Sequence, residues 1–160
     1  MNTLETVLAA RKLLEEITPL KTDCGRLCQG ACCRGDDATG MLLFPGEDAL
    51  YHACTFGRVI DAEFALGGNT AKLFVCGGAC ERENRPLACR LFPLFLRFKE
   101  DGTTKLRMDA RARQVCPLTD YGLSALNPEF KQAARAAYDL LLKDASCCAY
   151  LKDLYDAFSL

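Results

Sequence analysis

Cysteine is the residue whose number and spacing could do chemistry here: eleven of 160 residues, against a single histidine and no tryptophan. Eight of the cysteines fall into two stretches. The first is Cys24-x3-Cys28-x3-Cys32-Cys33. The second begins with Cys76-x3-Cys80, continues to Cys89 in the string RPLACRLFP, and ends with Cys116 directly before Pro117. Dense cysteine means disulfides in an oxidising compartment, and metal ligation or redox chemistry in a reducing one. The count is odd, and Cys32-Cys33 and Cys147-Cys148 are adjacent pairs that would form strained rings if joined to each other. The opening MNTLETVLAARKLLEEI has no basic leader and is broken by charges, unlike a secretory signal. These features favour metal ligation in a cytoplasmic setting.

Thiolates around one zinc, with Zn–S near ~2.3 Å, stand about 3.8 Å apart. Helical residues four apart have Cβ atoms about 5–6 Å apart, a gap side-chain torsions can close. One ion can therefore take Cys24 with Cys28, or Cys28 with Cys32 or Cys33. In a continuous helix Cys24 and Cys32 would be about 12 Å apart, a limit that turns at Gly25, Gly30 and Gly35 would relax. The two stretches suffice for two four-coordinate ions, or for one cluster plus spare thiols. A nearly all-sulfur ligand set selects zinc, an iron–sulfur cluster or copper(I) over magnesium or calcium. Excess thiolate charge calls for donors and cations nearby. Arg85 and Arg90 are the candidates for that role. Arg82 also brackets the second stretch, and Arg34 follows the first. The plainer alternative for such arginines is solvated surface.

The other candidates carry blander readings. Cys54 lies on an apolar helix face, where free cysteine packs as a small hydrophobe. Cys148 continues the apolar stripe of a C-terminal helix, with Cys147 pointing elsewhere. His52 reads as a surface or satisfied histidine.

Elements must position these sulfurs. Leu4, Val7, Leu8, Leu14 and Ile17 recur at helical spacing, predicting an amphipathic helix of about 16 residues. Asn2 and Glu5 would form its capping box, and Pro19 would end it. Residues 22–40 hold too few apolar side chains to build a core and must wrap a ligand or be stapled. GMLLF predicts a short strand, PGEDALYHA a short helix, and AKLFVC a strand running into Cys76 after a turn at Gly67-Gly68-Asn69. Residues 94–109 alternate as a β-hairpin. An Asp101-Gly102-Thr103 loop would set Phe98 opposite Leu106, Leu96 opposite Met108, Arg97 opposite Arg107 and Lys99 opposite Lys105. Facing like charges need water or an anion to relieve them. Asn127-Pro128-Glu129 opens a helix with stripe Phe130, Ala134, Ala137, Leu141 and Ala145, with a break near Ser146 leading to a second helix.

Composition narrows the classes further. A length of 160 residues suits one domain, residues 1–160. A net charge of −1 offers no electrostatic footprint for nucleic acid, and no apolar run suffices for a membrane span. A zinc ribbon on nucleic acid would need a basic face that is missing. The expected fold is α+β: a small, irregular, metal-stapled cysteine-rich core with a β-hairpin, flanked by N- and C-terminal helices.

Taken together, Cys24…Cys28…Cys32-Cys33, then Cys76…Cys80, then Arg85-Pro86-x-x-Cys89-Arg90-x-x-Pro93, resemble the cysteine-cluster family. That family is described as a zinc- or iron-chelating domain with a CxxCxxCC signature. The likeness covers residues 24–117 and is most specific in the Arg-Pro/Cys-Arg string. The first stretch here is spaced by three residues where the signature has two. Glu47 stands where such proteins tend to carry an acidic residue opening a short helix. The resemblance implies metal chelation and, for most members, no established activity; together with the spacing it leads us to expect Cys24, Cys28, Cys32, Cys33, Cys76, Cys80, Cys89 and Cys116 as ligands, in a structural or accessory rather than catalytic role. Flagellin lysine N-methylase has a similar cluster, so an enzyme or an iron–sulfur redox protein is the alternative. No glycine-rich strand–loop–helix for a nucleotide or methyl-donor cofactor supports the methylase. The metal ion is the expected partner, and which protein partner the chain has is left open.

Overall fold

The structure is a computed structural model that describes residues 1–21, 40–77 and 81–158. Cys24, Cys28, Cys32, Cys33 and Cys80, with Arg34, lie outside the described residues. The architecture is α+β, with helices at both ends and small antiparallel sheets between them. Among the described residues no helix is long and apolar enough to cross a membrane.

Helix α1 spans Thr3–Leu13. Its capping box forms as expected: Asn2 Oδ1 accepts from the Glu5 N–H and Glu5 returns a carboxylate to the Asn2 N–H. The helix stops at Leu14, short of the predicted length, and Leu8 is 40% exposed rather than on the inner face. Arg11 is turned inward with Val7 and Ala10.

Strand β1 is Met41–Leu42, β2 is Gly57–Leu66 and β3 is Asn69–Cys76, in the spatial order β1-β3-β2. β3 is the expected strand into Cys76. Its partner β2, which was not anticipated, is joined to it by Gly67 and Gly68 (φ +61° and +82°), the left-handed pair a two-residue turn requires. The Gly67 N–H donates to Asp153 at 2.7 Å, tying the turn to the C-terminal helix. The predicted short helix after Pro45 is a single 3-10 turn, Glu47–Leu50.

Helix α2 (Leu87–Leu91) leads into β4 (Leu94–Phe98) and β5 (Thr104–Met108). This hairpin exists, but its register differs from the expected one by two residues. Leu94 faces Met108, Leu96 faces Leu106, Arg97 faces Lys105 and Phe98 faces Thr104. Asp101 Oδ1 accepts from both the N–H and the hydroxyl of Thr103, and the Lys99 N–H donates to Thr103 O, so the connection runs from Lys99 to Thr103. A slip of two keeps every side chain on its intended face, so the apolar pattern alone does not penalise it.

Helix α3 (Pro128–Leu142) begins at the Asn127 cap and buries Phe130, Ala134, Ala137 and Leu141 as expected. Helix α4 (Ala145–Phe158) follows a break at Lys143-Asp144. The break resets the helical phase, so Cys147 is fully buried and Cys148 half-exposed, the reverse of the stripe's extrapolation. Burial, then the neighbouring Asp144 carboxylate, pushes the Cys147 thiol up to about 12, which keeps it protonated in the core.

The main core unites α1, α2, β4, α3 and α4 around Leu14, Leu87, Leu94, Phe95, Phe130, Tyr138 and Leu141. Its content is apolar, with Cys116 and Cys147 as members. A smaller cluster of Leu43, Tyr51 and Phe74 lies under the β1-β3-β2 sheet, with Cys54, Phe56, Val59 and Cys76 against it.

Candidate metal centre

Cys89 sits on α2, a helix of five residues that could not hold itself in place. A buried polar network fixes it. The carboxylate of Glu47, completely buried, accepts from Arg11 Nη1 at 2.7 Å, from the Leu87 N–H at 2.7 Å and from the Phe44 N–H at 3.1 Å. It thereby caps the start of α2 and joins it to α1 and to the end of β1. Burial raises the Glu47 pKa, and Arg11 and the two N–H donors pull the other way. Those three donors supply the partners a buried carboxylate needs to stay charged. Arg11 Nη1 also donates to the Tyr51 hydroxyl at 2.6 Å, and that hydroxyl donates to Asn84 O at 2.8 Å. Burial, above all, pushes the Tyr51 phenol up to about 12, with Glu47 and the neighbouring Cys89 adding to it.

Arg90 completes the network from within α2. Its Nε donates to Arg85 O (3.0 Å), Nη1 to Arg11 O (3.0 Å), and Nη2 to Glu83 O (2.8 Å) and Arg82 O (3.3 Å). Burial, then the nearby Arg11, lowers its pKa. With the Tyr51 bond to Asn84, the carbonyls of residues 82 through 85 are all bonded by buried or half-buried side chains. Residues 82–85, which precede the helix bearing Cys89, are therefore held by their backbone carbonyls. The sequence leads us to expect Arg90 to serve the sulfurs of the cluster, of which Cys24, Cys28, Cys32, Cys33 and Cys80 lie outside the described residues; within the described residues its guanidinium donates to these carbonyls and to Arg11 O. Arg85, half-buried, contributes its own carbonyl to Arg90.

Tyr51 and Phe74 connect this network to the other sulfurs. Their rings pack at 4.7 Å between centroids. Cys76 and Cys54 both lie against the same aromatic cluster. Cys54 Sγ donates to Gly57 O at 3.2 Å, and Gly57 is paired across the sheet with Cys76. Gly40, where the described chain resumes after the first cysteine stretch, is pressed against the same strand. A Cβ on it would lie 2.4 Å from Phe74 O, closer than any side chain tolerates. We expect Gly40→Ala to force β1 off β3, with a fall of about 2 kcal/mol or more in unfolding free energy on denaturant titration.

Cys116 sits apart from this aromatic cluster. It is buried in the main core at the junction of two 3-10 turns, Ala110–Gln114 and Pro117–Asp120, with its N–H donating to Ala112 O. The six described cysteines are present as thiols. His52 is a surface residue, 64% exposed, 3.4 Å from Asp48. Among the described residues no group of three or more histidine, cysteine, aspartate or glutamate side chains is arranged to hold a metal ion. Cys76, Cys89 and Cys116 thus form no ligand set alone.

Arg11 and Tyr51 are the members of the network that sequence reasoning missed. Arg11 is a charge inside an apolar helix pattern, and nothing in the sequence marks its partner; its burial in the structure does. No family model, no curated protein and no solved structure matches this chain.

Proposed function

We propose that this chain is a metal-binding cysteine-cluster protein, structural or accessory rather than catalytic. Cys24, Cys28, Cys32, Cys33, Cys76, Cys80, Cys89 and Cys116 would bind zinc or iron, the latter as an ion or an iron–sulfur cluster. The observation that carries the reading is the convergence on Tyr51 and Phe74. Cys76 packs on that pair, Cys89 rides on the helix whose start Glu47 caps while Glu47's partner Arg11 donates to Tyr51, and the chain after the first cysteine stretch enters at Gly40 beside Phe74. A rigid clamp on residues 82–85, in a segment with little apolar content of its own, suits a loop whose backbone must be held while its sulfurs face a cation.

The chemistry a bound metal would supply is folding free energy, by drawing thiolates from distant parts of the chain to one point. The chain's own residues hold the frame: Glu47 caps the cysteine-bearing helix, Arg90 and Tyr51 hold the approach to it, and Arg11 neutralises Glu47.

Elemental analysis of freshly purified, untagged protein prepared under anaerobic conditions tests the proposal. We expect at least one zinc or iron per chain. A colourless protein with stoichiometric zinc marks the structural reading, and a brown one with broad absorption at about 400 nm marks the iron–sulfur alternative. A folded protein carrying neither metal overturns both.

A further inference from the structure

A cavity of about 330 Å³ lies on the far side of the sheet from Tyr51, between β1, α2, β4 and the C-terminal helices. Leu42, Phe44, Leu91, Phe95 and Leu154 are among its apolar walls. Phe64 and Phe158, 40% and 42% exposed, also line it and meet edge-to-face at 6.0 Å, which marks its opening to solvent. Its size falls in the range of small-molecule sites, about 300–1,000 Å³.

Besides Tyr138, whose hydroxyl donates to Leu94 O, two polar elements reach this lining. Arg111 and Asp109 form an ion pair: Asp109 accepts from the Arg111 N–H, Nε and Nη2 at 2.8, 3.0 and 2.6 Å. The guanidinium is also sandwiched between the Phe95 and Phe158 rings at 5.5 and 5.6 Å. Its charge is already answered. The Tyr150 hydroxyl is different: the residue is 3% exposed, and its buried oxygen has no hydrogen-bond partner among the described residues. A buried polar group left unpaired costs about 1–3 kcal/mol, so an apolar cavity beside one has a reason to be filled. Burial holds this phenol well above its ordinary range, which keeps it a proton donor.

We propose that this cavity binds a small, neutral, apolar molecule carrying one hydrogen-bond acceptor, a carbonyl or ether oxygen, which takes the Tyr150 hydroxyl proton as its donor. The walls select an apolar body. The neutral Arg111–Asp109 pair leaves no net charge for an ionic ligand, and an organic anion would meet the Asp109 carboxylate. This site is independent of the cysteine-cluster reading: it uses no thiol.

The test is displacement of the neutral fluorescent dye N-phenylnaphthylamine from the full chain by two compounds of matched size, butyrophenone and butylbenzene. They differ in the carbonyl alone. The wild type should bind the dye, and butyrophenone should displace it at about fivefold lower concentration, the worth of one neutral hydrogen bond. Tyr150→Phe should keep dye binding and abolish the preference. Leu154→Trp, which fills the cavity, should abolish dye binding with the circular dichroism spectrum unchanged. No dye binding by the folded wild type, equal displacement by the two compounds, or a preference that survives in Tyr150→Phe would each overturn the proposal.

Discussion

Glu47→Ala should lower the unfolding free energy by about 3–5 kcal/mol, the usual cost of removing one member of a buried ion pair. In a chain of this size that is a fall of about 10 °C in melting temperature. Three separate losses produce it. Arg11 keeps its buried charge without a carboxylate, and the Leu87 and Phe44 N–H groups lose their acceptor. Thermal melts in the presence of a strong chelator measure the effect without any contribution from metal. Double-mutant analysis identifies its origin. Arg11→Ala alone should be similarly costly, and Glu47→Ala with Arg11→Ala together should cost less than the sum, by roughly 1–3 kcal/mol. Strict additivity would mean that the two residues do not act as a pair. Because Glu47 caps the helix that carries Cys89, its loss should also weaken whatever binding Cys89 takes part in.

Cys89→Ser should reduce the metal content per chain and lower the melting temperature by about 10 °C or more, since a thiolate ligand contributes to binding energy that is also folding energy. Cys54→Ser should change the melting temperature far less and leave the metal content unaltered. The comparison is informative because both residues are half-buried thiols, so general sensitivity of the fold to serine would affect both. Cys54 does sit on the same aromatic cluster as Cys76 and bonds Gly57 O, and serine can preserve that bond. Small and equal effects from the two variants would remove Cys89 from the ligand set. Parallel loss of metal from both would add Cys54 to it.

Much of the architecture was legible from local pattern. The α1 capping box, the Asn127-Pro128 helix start, the α3 stripe and the strand into Cys76 depend on residues within a few positions of one another, and each is present. The misreadings share one physical cause. The β4–β5 register depended on how Asp101 bonds Thr103 within the loop, and period-two alternation is blind to a slip of two. Cys147 and Cys148 exchanged roles because a break at Lys143-Asp144 turned the next helix about its axis. Strand β2 went unread because, as an edge strand with most residues partly or fully exposed, it lacks a clean apolar face.

The candidate site divides along the same line. That the chain is rich in thiols, nearly devoid of histidine and has eight of its cysteines in two stretches is a matter of composition and spacing, and the sequence determined it unaided; soft-metal ligation is the proposal built on that pattern. Glu47 drew notice only through a resemblance, and Arg11 and Tyr51 not at all. Their partners lie 36 and 40 residues away in the chain for Arg11 alone. A buried charge is tolerable only where the fold brings it a counter-charge and donors, and that meeting is a property of tertiary structure. Which arginine clamps a backbone, and which tyrosine lines an apolar cavity, was therefore decided by packing.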